Sequence, residues 1–172
     1  MILRCLLAFF LLLIVRISYA FDNYPVEYLG IERGLSNNAV TCIYQDHHGF
    51  MWFGTYDGLN RYDGYGFKIF RNKIGDNTSL INNNVYTIEG DNQHNLWVGG
   101  QKGACVYNPI QSNFSPLWYF SRKDKMVHPV LDGIHCIKSA QDGIMLVGTQ
   151  HDGLLLFLNQ QDPGRQIPLR RS

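Results

Sequence analysis

Side chains suited to holding hydroxyl groups recur along this sequence at regular intervals. Asn37-Asn38 precede one short alternation of apolar residues, Asn82-Asn83-Asn84 precede a second, and Asp132-Gly133 precede a third. Tyr56-Asp57, Gln101-Lys102 and His151-Asp152 follow later in the same three segments. Asn and Gln both donate and accept hydrogen bonds, Asp accepts, and His does either. A sugar's hydroxyl groups need such partners. The competing role is turn geometry, because Asn and Asp bond their own backbone and tolerate positive φ. For each single residue, both roles are open at this level.

Other chemistries find less support. Glycoside hydrolysis usually needs two carboxylates facing each other across the scissile bond. The chain has three glutamates, Glu27, Glu32 and Glu89, and most of its eleven aspartates fall in turns. Asp57 and Asp152 stand next to glycine at matching positions, which marks a turn. No Ser/His/Asp or Cys/His constellation follows from spacing, so no catalytic residue is expected. His47-His48 read as a surface hairpin pair, since neighbours in a strand point to opposite faces. Cys42, Cys105 and Cys136 form no C-x-x-C pair and have no histidine at ligand spacing, so neither metal nor cofactor is expected. They read as small, buried, unpaired strand residues.

The elements that carry these residues are repeats. Val40-Thr41-Cys42-Ile43, Val85-Tyr86-Thr87-Ile88 and Ile134-His135-Cys136-Ile137 each open a copy. Trp52-Phe53-Gly54, Trp97-Val98-Gly99 and Leu146-Val147-Gly148 follow, then Gly58, Gly103 and Gly153, with Tyr62 and Tyr107 closing the first two. Trp52 and Trp97 are 45 residues apart, Trp97 and Leu146 are 49. The first copy reads as four strands: Ala39 to Gln45, Phe50 to Thr55, Leu59 to Tyr62 and Phe67 to Arg71. Asp-Gly and other glycine turns separate them. A chain with 13% aromatics and 17 glycines, patterned at period two, is a sheet protein. Four-stranded units repeating every 45 or so residues are blades of a β-propeller. The fold expected is therefore all-β, a partial propeller of about three antiparallel blades. Trp52 and Trp97 sit mid-strand in apolar runs and read as packing residues between blades.

The ends differ in kind. Arg4, the apolar run Cys5–Val15 and Ser18-Tyr19-Ala20 compose a secretory signal over 1–20. Eleven apolar residues rising ~1.5 Å each are too short for a ~30 Å hydrocarbon core, so no membrane span is expected. Beyond the signal, 13 basic and 14 acidic side chains remain, a balance that argues against a nucleic-acid partner. The expected layout is a lead-in strand over 21–34, then blades at 35–79, 80–128 and 129–159, the last incomplete. Residues 160–172 are expected to be irregular. Pro116 to Pro129, with Arg122-Lys123-Asp124-Lys125, is expected to be a surface loop. Propellers close with four to eight blades. The partners expected are thus the remaining blades of a longer chain or, alternatively, further copies of this one.

The string Leu35-Ser36-Asn37-Asn38-Ala39-Val40, then Ile43, Asp46, Gly49, Trp52-Phe53-Gly54-Thr55 and Gly58-Leu59-Asn60-Arg61-Tyr62-Asp63, resembles the two-component regulator propeller repeat. Tyr28 to Ser36 resembles the start of large hybrid two-component sensors that detect polysaccharide fragments. The third copy departs, with Leu146 in the tryptophan slot and one extra residue before Gly153. The resemblance implies a periplasmic sensor with an oligosaccharide ligand, and kinase parts lying outside this chain. Geometry assigns the candidate ligand residues. In an antiparallel meander the start of the first strand and the end of the second lie at one end. Asn37, Asn38, Tyr56, Asp57, Asn83, Asn84, Gln101, Lys102, His151 and Asp152 therefore share one face. A secreted propeller enzyme and a protein-contact scaffold are the rival readings.

Overall fold

The computed structural model describes residues 26–167. The expected signal over 1–20 and the last residues of the expected tail lie outside this range. Blade 1 is a meander of β1 (Val40–Gln45), β2 (Met51–Thr55), β3 (Gly58–Tyr62) and β4 (Phe67–Phe70). Blade 2 repeats it with β5 (Val85–Gly90), β6 (Leu96–Gly100), β7 (Gly103–Asn108) and β8 (Asn113–Pro116). Then come β9 (Trp118–Phe120), β10 (Val127–Pro129), β11 (Ile134–Ser139), β12 (Met145–Thr149), β13 (Leu154–Phe157) and β14 (Gly164–Gln166). These six form blade 3, in the order β10-β9-β14-β13-β12-β11. No helix among the described residues is long and apolar enough to cross a membrane.

One apolar core lies between each pair of blades. Trp52, Leu59, Leu80, Val85, Ile88, Val98, Tyr107 and Phe114 fill the first. Trp97, Ala104, Val106, Leu117, Ile134, Met145, Leu155 and Phe157 fill the second. β6 is buried along its whole length because blade 2 is covered on both faces. Each tryptophan reaches into the next blade. Trp52 lies 5.4 Å from the Tyr107 ring, and Trp97 meets Phe157 edge-on at 5.2 Å.

A buried indole N–H needs an acceptor. Asp46 accepts from Trp52 Nε1 at 2.7 Å and Asp91 from Trp97 Nε1 at 2.9 Å. The other oxygen of each aspartate accepts two backbone N–H groups of its own hairpin. In blade 3 both partners are gone together, replaced by Leu146 and Ala140.

A second device repeats beside the first. An ideal Cβ on Gly54 would lie 2.7 Å from Val85, the first residue of the next inner strand. One on Gly99 would lie 2.5 Å from Ile134. The glycine of each blade is thus a notch for the first residue of the following blade. Gly148 carries the same notch in blade 3, where its Cβ would meet only Cys136 of its own sheet. Leu146, Leu154 and Leu156 flank that notch half-exposed.

Four expectations are corrected. Residues 116–129 form the β9–β10 hairpin rather than a loop. The region after Asn159 is not wholly irregular: β14 gives the third blade its fourth meander strand and pairs in parallel with β9. Its partners on both sides satisfy its backbone, although Gly164-Arg165-Gln166 carries no apolar alternation. The lead-in has no strand over 26–34; it makes a 3-10 turn at Ile31–Arg33 whose first N–H donates to Asn38 Oδ1 at 2.9 Å. Cys136 is exposed, not buried. Its counterpart Cys42 is half-buried against Gly54, and Cys105 is fully buried, which pushes its thiol up to about 12. The burial difference between Cys42 and Cys136 follows from Val85 of blade 2, which packs on the Gly54 notch beside Cys42, whereas among the described residues no blade packs on the Gly148 notch beside Cys136.

Candidate functional site

Register brings the ten candidate residues to one end of the three sheets. Val40 pairs with Thr55, Val85 with Gly100 and Ile134 with Thr149. Asn38 therefore stands beside Tyr56, Asn84 beside Gln101, and Asp132-Gly133 beside Gln150-His151. Direct bonds close two of these pairs. Asn84 Nδ2 donates to Gln101 Oε1 at 2.6 Å, and Gln150 N donates to Gly133 O at 2.8 Å.

Much of the polar capacity here serves the fold. Asn37 Oδ1 accepts from Ala39 N at 2.7 Å, an Asx turn. Asn38 receives the Ile31 N–H. Asp57 takes a two-point bond from Arg71, at 3.2 and 2.8 Å. Asn83 joins two segments: its side chain accepts from Asn72 N and its carbonyl accepts from Gly58 N. What remains turned to solvent is narrower than the ten residues expected. It comprises Asn38, the Tyr56 ring, which is 54% exposed, Gln101, Lys102, and the His151 imidazole.

The extra residue of the third copy has a physical account. Asp132 accepts from Gly133 N, His151 N, Asp152 N and His151 Nδ1, gathering the longer turn around one carboxylate. Burial disfavours its charge, but these donors outweigh burial and hold the carboxyl at about 2 instead of the ordinary 3.8. A depressed carboxyl stabilises the fold above its ordinary value, and that contribution is lost as pH falls toward 2. Its size is about 2 kcal/mol. Asp132→Asn is expected to lower the urea midpoint at pH 7 accordingly. The variant's midpoint should also lose its dependence on pH between about 4 and 2 relative to the parent. Asp152, one bond away, accepts from Tyr119 OH at 3.1 Å. Burial first, and this carboxylate second, push the Tyr119 phenol up to about 12.

One feature escaped the sequence. Pairing slips at the same place in every inner strand, between Val40 and Cys42, Val85 and Thr87, and Ile134 and Cys136. The extra residues are Thr41, Tyr86 and His135. A bulge re-aims the side chain it carries. Thr41 Oγ1 donates to Val85 O at 2.6 Å across the blade boundary. Tyr86 meets Tyr56 edge-on at 6.4 Å, which makes a two-ring aromatic patch among the polar loops. His135 is exposed. The signal was the divergence of this one slot (Thr, Tyr, His) within an otherwise regular repeat.

Glu89 and Glu27 are engaged elsewhere. Glu89 accepts from Lys138 Nζ of blade 3 at 2.8 Å, and Glu27 pairs with Arg33.

Comparison with known proteins agrees with this architecture. The family model "Two component regulator propeller" matches residues 34–57 and 79–102. The chain is similar to the extracellular domain of the hybrid two-component system BT3049 of B. thetaiotaomicron. Identity is 30%, the TM-score is 0.65, and the match covers 76% of this chain and 18% of that one. The extracellular domain of the B. thetaiotaomicron hybrid two-component system BT4673 shares the fold at 22% identity. There the TM-score is 0.64, over 87% of this chain and 19% of that one. A stretch of 47 residues is 53% identical to histidine kinase P4 of Formosa agariphila, 27% of this chain and 3% of that protein. The chain thus spans under a fifth of the length of each of these relatives. The two family-model matches fall at equivalent positions of blades 1 and 2, and the chain is similar to the extracellular domains of hybrid two-component systems.

Proposed function

We propose that this chain is part of a periplasmic sensing ring, that further blades complete the ring over the open face of blade 3, and that its loop-built end receives an oligosaccharide. The observation that carries the first two parts is the repeated notch. Gly54 and Gly99 are filled by the next blade, and Gly148 offers the same groove beside three half-exposed leucines. The extracellular placement of the similar B. thetaiotaomicron domains supports a periplasmic location. The third part rests on the Tyr56–Tyr86 pair set among asparagine, glutamine and histidine side chains. Aromatic faces and hydrogen-bonding rims together suit carbohydrate. The rival enzyme reading draws less support, with Glu89 and Glu27 each bound to a cation.

Calorimetry on the full-length protein tests the ligand face. Asn38→Ala with Tyr56→Ala is expected to weaken oligosaccharide binding at least tenfold, a loss of about 1.4 kcal/mol or more. Unchanged affinity would count against this end of the blades.

A further inference from the structure

We propose that the ligand is an acidic oligosaccharide, and that Arg122, Lys125 and Arg165 bind its carboxylate or sulfate groups over the ring of Phe120. This deepens the glycan reading and rests on it.

The three cations converge from two segments that are distant in sequence, the turn after β9 and strand β14. β9 and β14 run parallel, with Arg165 opposite Phe120. The turn after β9 carries Arg122 and Lys125, the latter in the left-handed region at φ 62°. Phe120, Arg122, Lys125, Pro163, Arg165 and Gln166 line one cleft of about 540 Å³. That size lies within the range of small-ligand sites. All three cations are exposed, and none is ion-paired among the described residues. The acids nearby are already engaged. Asp124 bonds His128 Nε2 at 2.7 Å, Asp162 bonds Asn159 Nδ2 at 2.7 Å, and Asp152 bonds Tyr119. Guanidinium groups without an ion-pair partner among the described residues, such as those of Arg122 and Arg165, are suited to two-point bonds with carboxylate or sulfate. Phe120, 39% exposed, offers an apolar face beside them. A bare inorganic anion would make no use of that face, whereas a sugar ring would.

One wall of the cleft lies at the loop-built end of the blade. β14 runs antiparallel to β13, so its last residue lies at the end where β13 begins. Gln166 Nε2 donates to Asp152 O at 2.7 Å, and Arg122 N approaches Gln166 Oε1 at 3.4 Å. The cleft and the His151-Asp152 loop are therefore joined through one side chain. A single extended chain of sugars can span both.

The test compares three probes on the full-length protein by calorimetry: tetragalacturonate, a sulfated carrageenan tetrasaccharide, and neutral galactotetraose. The variant combines Arg122→Gln, Lys125→Gln and Arg165→Gln, all at exposed positions. At least one acidic probe is expected to bind, to weaken roughly tenfold in the variant, and to weaken with added salt. The probe that binds identifies the anion as carboxylate or sulfate. Equal affinity of variant and parent for the acidic probes overturns the cleft while leaving the loop-end reading standing. Binding of galactotetraose alone does the same. Absence of binding by all three probes overturns both.

Discussion

Replacing Trp97 with alanine is expected to cost about 3–5 kcal/mol, read as a fall in the urea midpoint with unchanged slope. The side chain is fully buried between blades 2 and 3, against Phe157 and within the core that Ile134, Met145 and Leu155 build. Its removal leaves a cavity lined by two sheets that are each held by their own ladders, so collapse is limited. It also strips Asp91 of its indole partner. Since whole domains are stable by about 5–15 kcal/mol, the loss is a large share. Leu146→Ala, at the equivalent position of blade 3, should cost far less in this chain because that side chain is half-exposed.

Gly99→Val is the second large effect. Valine is favoured in strands, so in an open strand this change would be neutral or stabilising. Here the new Cβ would stand 2.5 Å from Ile134 Cγ2, 2.9 Å from its Cβ and 2.9 Å from Thr87 Cγ2. Ile134 is itself fully buried and has nowhere to retreat. Relief requires moving blade 3 away from blade 2, at an expected cost of about 3 kcal/mol. An unchanged or raised midpoint would show that the blades do not meet through this notch. Gly148→Val provides the comparison. Its new Cβ would meet only the exposed Cys136 thiol, which can swing aside.

Much of the architecture was legible because period-two alternation and glycine turns repeat three times. Val40 to Phe70 yields four strands from pattern alone, and the tryptophan spacing gives the stacking interval. The β9–β10 hairpin was not legible. Trp118-Tyr119-Phe120 is three residues long, lies between a proline and a basic run, and gains its strand character from β14, far along the chain. Gly164-Arg165-Gln166 shows no strand propensity and is ordered by neighbours on both sides. Tertiary pairing decided both segments.

The shared end of the strands was legible, but not which of its polar groups stay free. Antiparallel geometry put Asn38, Tyr56, Asn84, Gln101 and His151 at one end, and register agrees. Which polar groups remain available depends on bonds that spacing does not reveal. Asp57 is held by Arg71, and Asp132 gathers the His151-Asp152 turn. Tyr86 was missed because a bulge appears only when two strands are laid in register.

The central claim is that the Gly148 face of blade 3 is covered by a further blade. Cys136 lies in that notch and is exposed in this chain. Native alkylation of the full-length protein with iodoacetamide, read peptide by peptide in a mass spectrometer, tests the claim directly. The account predicts that native Cys136 reacts no faster than the blade-covered Cys42 at every protein concentration, and speeds up only when guanidinium unfolds the ring. Modification of native Cys136 as fast as in denaturant would contradict it.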